Sequence, residues 1–235
     1  GMALYNADDY TISGNNFPVK HVNISGRASY AYDRKYLAEL SFSWMGSENF
    51  AKGKRFGWFP ALSLGWVVSK ESFLEDNNTV NLLKIRGSYG MIGNDKIGGD
   101  RFMFDQYYTT SGTYYFGTGN ATFGGIIQGS LANPDVTWEK EKILNFGIEA
   151  RLLNCLDITV DLFNRDRYDI LVIPNITNPD FMGYVKPYQN QGKANNHGFE
   201  AKVRYSNEGT GDFKFFAEAS VWYYESEVVE NSESL

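Results

Sequence analysis

From Val22 to Tyr32 the side chains alternate without a break. Val22, Ile24, Gly26, Ala28, Tyr30 and Tyr32 share one parity, and Asn23, Ser25, Arg27, Ser29 and Ala31 share the other. After two residues, Asp33 and Arg34, the alternation resumes with Tyr36, Ala38, Leu40, Phe42 and Trp44 against Leu37, Glu39, Ser41 and Ser43, and only Leu37 breaks it. Side chains on a strand change faces at every residue, so the stretch predicts a long hairpin with one apolar and one polar wall. A strand of roughly ten residues tilted by about 40° spans the apolar core of a bilayer, and apolar-out, polar-in alternation is the pattern of a transmembrane β-barrel.

Aromatic spacing points the same way. Tyr36 and Trp44 lie eight positions apart on one face, and Trp58 and Trp66 repeat the interval. Eight residues cover roughly 26 Å of strand and about 20 Å of depth after tilt, close to the separation of two interfacial aromatic belts. Rings at such positions also suit the core of a soluble β-sandwich, so the spacing counts only together with the alternation.

Further strand pairs follow. Trp58, Leu62, Leu64, Trp66 and Val68 share a face, with Pro60 near the start. Leu83, Ile85, Gly87, Tyr89 and Met91 alternate with Lys84, Arg86, Ser88 and Gly90. Lys142, Leu144, Phe146, Ile148, Ala150 and Leu152 oppose Asn145, Gly147, Glu149 and Arg151, and a tight turn at Asn154 leads to Leu156, Ile158, Val160 and Leu162. Phe199, Ala201, Val203 and Tyr205 pair with a run from Phe213 to Tyr223. About eight strands are expected between residues 22 and 225. Connections alternate: short at 33–34, longer at 46–56, intermediate at 69–81, very long at 92–138, tight at 154, long at 165–196 and short at 206–212. Barrels of this kind carry short periplasmic turns and long extracellular loops, so the alternation also orients the wall.

Composition excludes other classes. Mean hydropathy is −0.38 at 43% hydrophobic residues, and the chain has no apolar run long enough for a transmembrane helix. Sixteen Tyr, 17 Phe and 5 Trp against 6 Pro favour strands over disorder. A net charge of −6 with interspersed signs gives no nucleic-acid footprint. A single cysteine, Cys155, precludes a disulfide framework. Gly1 before Met2 is expected to be an expression scar, residues 1–21 an N-terminal stretch outside the barrel, and 226–235 a truncated polar end.

Catalytic motifs are weak. His21 and His197 are far apart, and each is expected to be a hydrogen-bonded or exposed side chain, not a metal ligand or triad member. Cys155 is expected to be an inert thiol. Asn94, Asp95, Asp100 and Asp105 suggest a hard-cation loop but lack EF-hand spacing, so no metal or other cofactor is assigned. Gly87, Gly90 and Gly93 do not make a phosphate-binding fingerprint, since no helix follows. Asp157 and Asp161 read as a solvated wall without glycosidase chemistry. No catalytic residue is assigned and the chain is expected not to be an enzyme. The candidate substrate-binding residues are loop aromatics, Tyr107, Tyr108, Tyr114, Tyr115 and Phe116, set among Gly, Ser and Thr. For any single ring, simple packing of the loop against its neighbours is the stronger account.

Several segments resemble a known family. LKIRGSYGMIGN (Leu83 to Asn94), NPDVTWEKEKILNFGIEARLLN (Asn133 to Asn154), NQGKANNHGFEAKV (Asn190 to Val203) and FGWFPALSLGWVVSKESFLE (Phe56 to Glu75) are each similar to motifs of SusC/RagA-type TonB-dependent transporters. RASYAYDRKYLAELSFSWMGSENF looks like that family's hairpin and following loop, with Met45-Gly46-Ser47 where the family usually has Asp-Gly-Ser, which puts any role of that Asp in doubt. The resemblance covers about Ser25 to Tyr224. It implies an antiparallel up-and-down transmembrane barrel of about 22 strands, of which this chain carries a central portion. It also implies a plug and a TonB box elsewhere in the parent protein, which would sit in the outer membrane of a Gram-negative bacterium. The implied activity is uptake of glycan or peptide nutrients, with a SusD-like surface lipoprotein, the TonB complex and outer-membrane lipid as partners. Cut from its parent, such a wall has two unpaired edges and a bare apolar face, and rearrangement into a two-sheet sandwich is one way to cover it. Rival readings are a soluble carbohydrate-binding β-sandwich, disfavoured by the connection at 92–138, and a passive porin.

Overall fold

A computed structural model describes residues 1–10, 19–96, 101–118, 121–174, 185–207 and 213–231. Eleven strands run in chain order: β1 (Met2–Tyr10), β2 (Val19–Tyr32), β3 (Tyr36–Ser47), β4 (Phe56–Val67), β5 (Val80–Asn94), β6 (Tyr108–Phe116), β7 (Ala121–Gln128), β8 (Glu139–Leu152), β9 (Leu156–Val172), β10 (Gln189–Asn207) and β11 (Phe215–Glu230). Nine of them form one antiparallel sheet in the order β1-β2-β3-β4-β5-β8-β9-β10-β11, and β6 and β7 form a separate ribbon within the 95–138 connection. The sheet does not close on itself among the described residues, and β1 and β11 are its edges. It is one continuous sheet, not the two-sheet sandwich considered for the isolated segment. Strand pairing holds the nine strands side by side, and ion pairs link β5, β8 and β9 on one face.

The sequence pattern is met strand by strand and extended. Met2–Tyr10, expected to lie outside the wall, pairs with β2 from Met2 opposite Arg27 to Tyr10 opposite Val19. β9 and β10 run on into the connection expected at 165–196, with Asp166 paired to Asn195 and Val172 to Gln189.

Both tight turns have the same form. Asp33 and Arg34 have φ of 52° and 53°, and Leu153 and Asn154 have φ of 53° and 56°. Lys35 N donates to Tyr32 O at 2.9 Å and Cys155 N to Leu152 O at 3.1 Å, closing two-residue hairpins of type I′, whose twist matches that of the strands. The strand ends at these turns and those flanking 68–79 lie at one end of the sheet, and those flanking 48–55, 95–138 and 173–188 at the other. The two longest connections, 95–138 and 173–188, thus leave from one end, while 68–79 at the opposite end is longer than 48–55.

Register sorts the side chains into two walls. Ala28, Leu40, Leu62, Tyr89 and Leu144 form one cross-strand row, and Tyr30, Ala38, Leu64, Gly87, Phe146, Leu162, Phe199 and Tyr223 the next. Leu40, Leu144 and Leu162 are each more than half exposed, so none of the described residues covers the apolar wall there. The four spaced rings pair across one seam, Trp44 with Trp58 and Tyr36 with Trp66. Near the long-loop end, Trp44 stacks on Phe56 at 4.4 Å and Phe42 on Trp58 at 4.7 Å. At the turn end, Tyr36 Oη and Trp66 Nε1 both donate to Glu71, at 2.8 and 3.0 Å.

The buried core lies at the long-loop end. Phe50, Phe59, Met103, Val136 and Trp138 pack together, with Met45 and Tyr188 against them. Phe59 falls on the polar wall, opposite Ser43 in register. Its ring fills the space that side chains at Gly57 and Gly93 would take.

Candidate functional site

The polar wall carries a lattice of ion pairs. Arg86 on β5, Gly147 on β8 and Asp161 on β9 are register partners in one row. Because Gly147 has no side chain, Arg86 reaches across the intervening strand, and Nη2 lies 2.6 and 2.7 Å from the two Asp161 oxygens. A Cβ at Gly147 would stand 2.6 Å from Asp161 Oδ1 and 2.7 Å from Arg86 Cζ. Arg86 Nε also donates to Glu149 at 2.9 Å, and Lys84 reaches the same carboxylate at 3.3 Å. Arg151 pairs with Asp157 at 2.6 Å and Lys202 with Glu218 at 2.8 Å. Asp157 and Asp161 are therefore each neutralised by their own arginine, which leaves no acid–base pair of carboxylates between them. What this wall offers chemically is a fixed polar surface of alternating charge.

Above it, the long connections are laced together at their roots. Trp138 Nε1 donates to Arg55 O at 3.3 Å. Asn190 accepts from Thr137 N at 2.9 Å, and its amide donates to Thr137 O at 2.9 Å and Asp169 O at 2.6 Å. Asn133 donates to Tyr188 O at 2.6 Å and Ser130 to Lys186 O at 2.9 Å. Met45, at the position where the family loop usually has Asp, packs on the Phe50–Trp138 cluster.

The loop aromatics do not share one face. Thr110 pairs with Ile126 and Thr113 with Gly124, so a bulge lies between them, and Gly112 there has φ of 81°. Tyr108 and Tyr115 fall on one face of the ribbon, opposite Gln128 and Thr122. Tyr114, opposite Phe123, faces the other way over Gly125, and Tyr107 lies against Gly129. Phe116 ends β6 opposite Ala121. Tyr108 and Tyr115 are about two-thirds exposed.

The remaining candidates are scattered. His21 Nε2 lies 2.7 Å from Asp95 Oδ2, and Asn49 donates to Asp95 O at 3.1 Å. Asn94 donates to Glu139 at 3.0 Å. Asp105 sits in a turn whose N–H bonds Phe102 O, and Asp100 lies outside the described residues. His197 is 3.8 Å from Glu225 across the β10–β11 seam. Cys155 occupies the β8–β9 turn. Among the described residues no three His, Cys, Asp or Glu side chains come together as a metal site. Outside the strands, the hydrogen bonds from Trp66 and Tyr36 and the nearby Lys35 ammonium hold the Glu71 carboxyl below its ordinary range.

Residues 2–233 match the family model described as TonB dependent receptor-like, beta-barrel. The chain belongs to that family. This TonB-dependent receptor barrel is 30% identical over 195 residues to a TonB-dependent receptor of Formosa agariphila, a match covering 82% of this chain and 19% of that protein. It is 29% identical over 211 residues to the TonB-dependent receptor SusC of Bacteroides thetaiotaomicron, covering 88% of this chain and 20% of SusC. Among solved structures, the RagAB peptide transporter aligns at a TM-score of 0.76 and 25% identity, over 91% of this chain and 23% of that one. The RagAB peptide importer in its open-open state aligns equally well, at 24% identity over 94% of this chain. The chain thus spans about a fifth of the length of the curated relatives it matches.

Proposed function

We propose that this chain is part of the barrel wall of an outer-membrane transporter that takes up glycan or peptide nutrients by a TonB-dependent route, with a SusD-like surface lipoprotein at its long-loop face. The observation that carries the reading is the two-walled sheet: exposed leucines between paired aromatic rows on one face, and the Arg86, Glu149 and Asp161 lattice on the other. In a barrel the first wall meets lipid and the second the lumen. The likeness to the TonB-dependent receptor SusC and to the RagAB peptide transporter supports uptake of cargo as the activity. Substrate recognition belongs to the long-loop end, where β6 and β7 present Tyr108 and Tyr115 to solvent.

The test is uptake by cells expressing the full-length protein, with and without TonB, using labelled oligosaccharides and peptides in parallel. Uptake that needs both TonB and the lipoprotein is expected. Equal uptake without TonB would indicate a passive porin.

A further inference from the structure

The apolar wall is not uniformly filled. Near the turn end, between β2 and β8, it holds a trough of about 380 Å³ within the range of ordinary ligand sites. Its floor is Ala38 and Gly87, and Tyr30, Leu64, Trp66 and Phe146 stand around it. A Cβ built on Gly87 meets nothing nearer than Asn145 O at 3.9 Å, so the chain's own packing does not demand a glycine there. The space is left open by small residues inside a row of large ones.

What lies beside the trough says what enters it. On the turn side, Tyr36 and Trp66 are held by Glu71, which fixes two rings with their polar tips toward the turns. Such rings mark a membrane interface. The neighbouring turn carries two cations, an exposed Arg34 and Lys35, whose Nζ lies 3.7 Å from Asp33 and 4.0 Å from Glu71. Lys35 is shared between those two carboxylates, which leaves Arg34 as the outward-facing cation of the turn. A trough that is apolar but for Arg86 in its lining, opening beside polar ring tips and this guanidinium, matches an amphiphile with a hydrocarbon tail and an anionic head.

Resting on the outer-membrane reading above, we infer that this trough seats an acyl chain of a periplasmic-leaflet phospholipid, whose phosphate lies at Arg34. The turn end is the periplasmic one under that reading, which selects phospholipid over the lipopolysaccharide of the opposite leaflet.

Full-length protein is extracted from outer membranes in mild detergent, and native mass spectrometry reads the lipid that remains bound. Wild type is expected to retain phospholipid. Gly87→Leu and Ala38→Phe, which fill the floor, each displace about two methylenes' worth of contact and should lower retention about tenfold. Arg34→Gln should abolish the preference for anionic over zwitterionic phospholipid. Val203→Leu, on the same wall away from the trough, should change nothing. Retention unaffected by both filling variants, lipopolysaccharide in place of phospholipid, or no bound lipid in correctly assembled wild type would each overturn the inference. Membrane fractionation and the heat-dependent gel shift of a folded barrel are read on the same samples. Absence from the outer-membrane fraction would instead strike the transporter reading, and the lipid seat with it.

Discussion

Leu40 offers the sharpest test of which wall meets lipid. It lies four residues from Tyr36 and four from Trp44, midway between the two aromatic rows, and is 56% exposed. At about 3.3 Å per residue and 40° of tilt, each row is roughly 10 Å away in depth, which puts Leu40 at the middle of the hydrocarbon. Leu40→Arg in the full-length transporter should therefore cost about 2–4 kcal/mol, a thirty- to eight-hundredfold loss in the ratio of folded to unfolded protein. The control is Ser63→Arg. Ser63 is opposite Glu39 on the polar wall, so the new cation gains a partner and stays in water. Ser41→Arg is a less clean control, since Ser41 faces Arg27 directly. The assay is the urea midpoint of the folded, heat-shiftable band in lipid vesicles, with surface proteolysis in cells as a second reading. Equal destabilisation by Leu40→Arg and Ser63→Arg would refute the assignment of the walls.

Tyr115→Ala in the full-length protein should weaken cargo capture about three- to tenfold, as loss of one stacking ring predicts, and Tyr114→Ala, on the opposite face over Gly125, should do less; binding with the lipoprotein partner is the measurement, and the reverse order would show that the wrong face had been chosen. Leu153 holds φ of 53° while 63% exposed, so Leu153→Asn should raise stability by about 0.5–1 kcal/mol without loss of packing, read as a higher denaturation midpoint. Glu71 is held below its ordinary value of 4.5 when folded, so its contribution is present above that value and fades as pH falls through the lower folded value. Melting temperatures of wild type should thus drop more steeply below pH 4.5 than those of Glu71→Gln, and parallel curves would remove Glu71 from the account.

The sequence exposed the wall wherever one face is apolar and the other polar, because only there does composition alternate. From Asn164 to Arg167 on β9 and from Gln191 to Asn196 on β10 both faces are polar, so these residues read as loop although they pair in the sheet. β1 was hidden for a related reason: Met2 and Leu4 fall on the polar wall, opposite Arg27 and Ser25, and cancel the contrast. The aromatic core was legible only through Phe59, a large ring at a polar-wall position flanked by Gly57, while its partners Phe50, Val136 and Trp138 come from segments without period. The splitting of Tyr114 from Tyr115 follows from strand parity once β6 is known. The bulge before Thr113, which keeps Tyr108 and Tyr115 on a common face, left no comparable mark.

Because neighbours in the sheet are neighbours in the chain at every seam but one, the wall can be laid down hairpin by hairpin. Seven of the eight seams close over connections of modest length, two of them over two-residue turns. The exception joins β5 to β8 across residues 95–138, where loop closure costs roughly 1.5 kcal/mol more than for the 48–55 connection. That seam divides the wall into two continuous meanders, β1–β5 and β8–β11. Trp138, one residue before β8, docks on Phe50 and Phe59 beside β4. The same ring that fills the core therefore ties the second meander to the first, across the one seam where chain continuity does not.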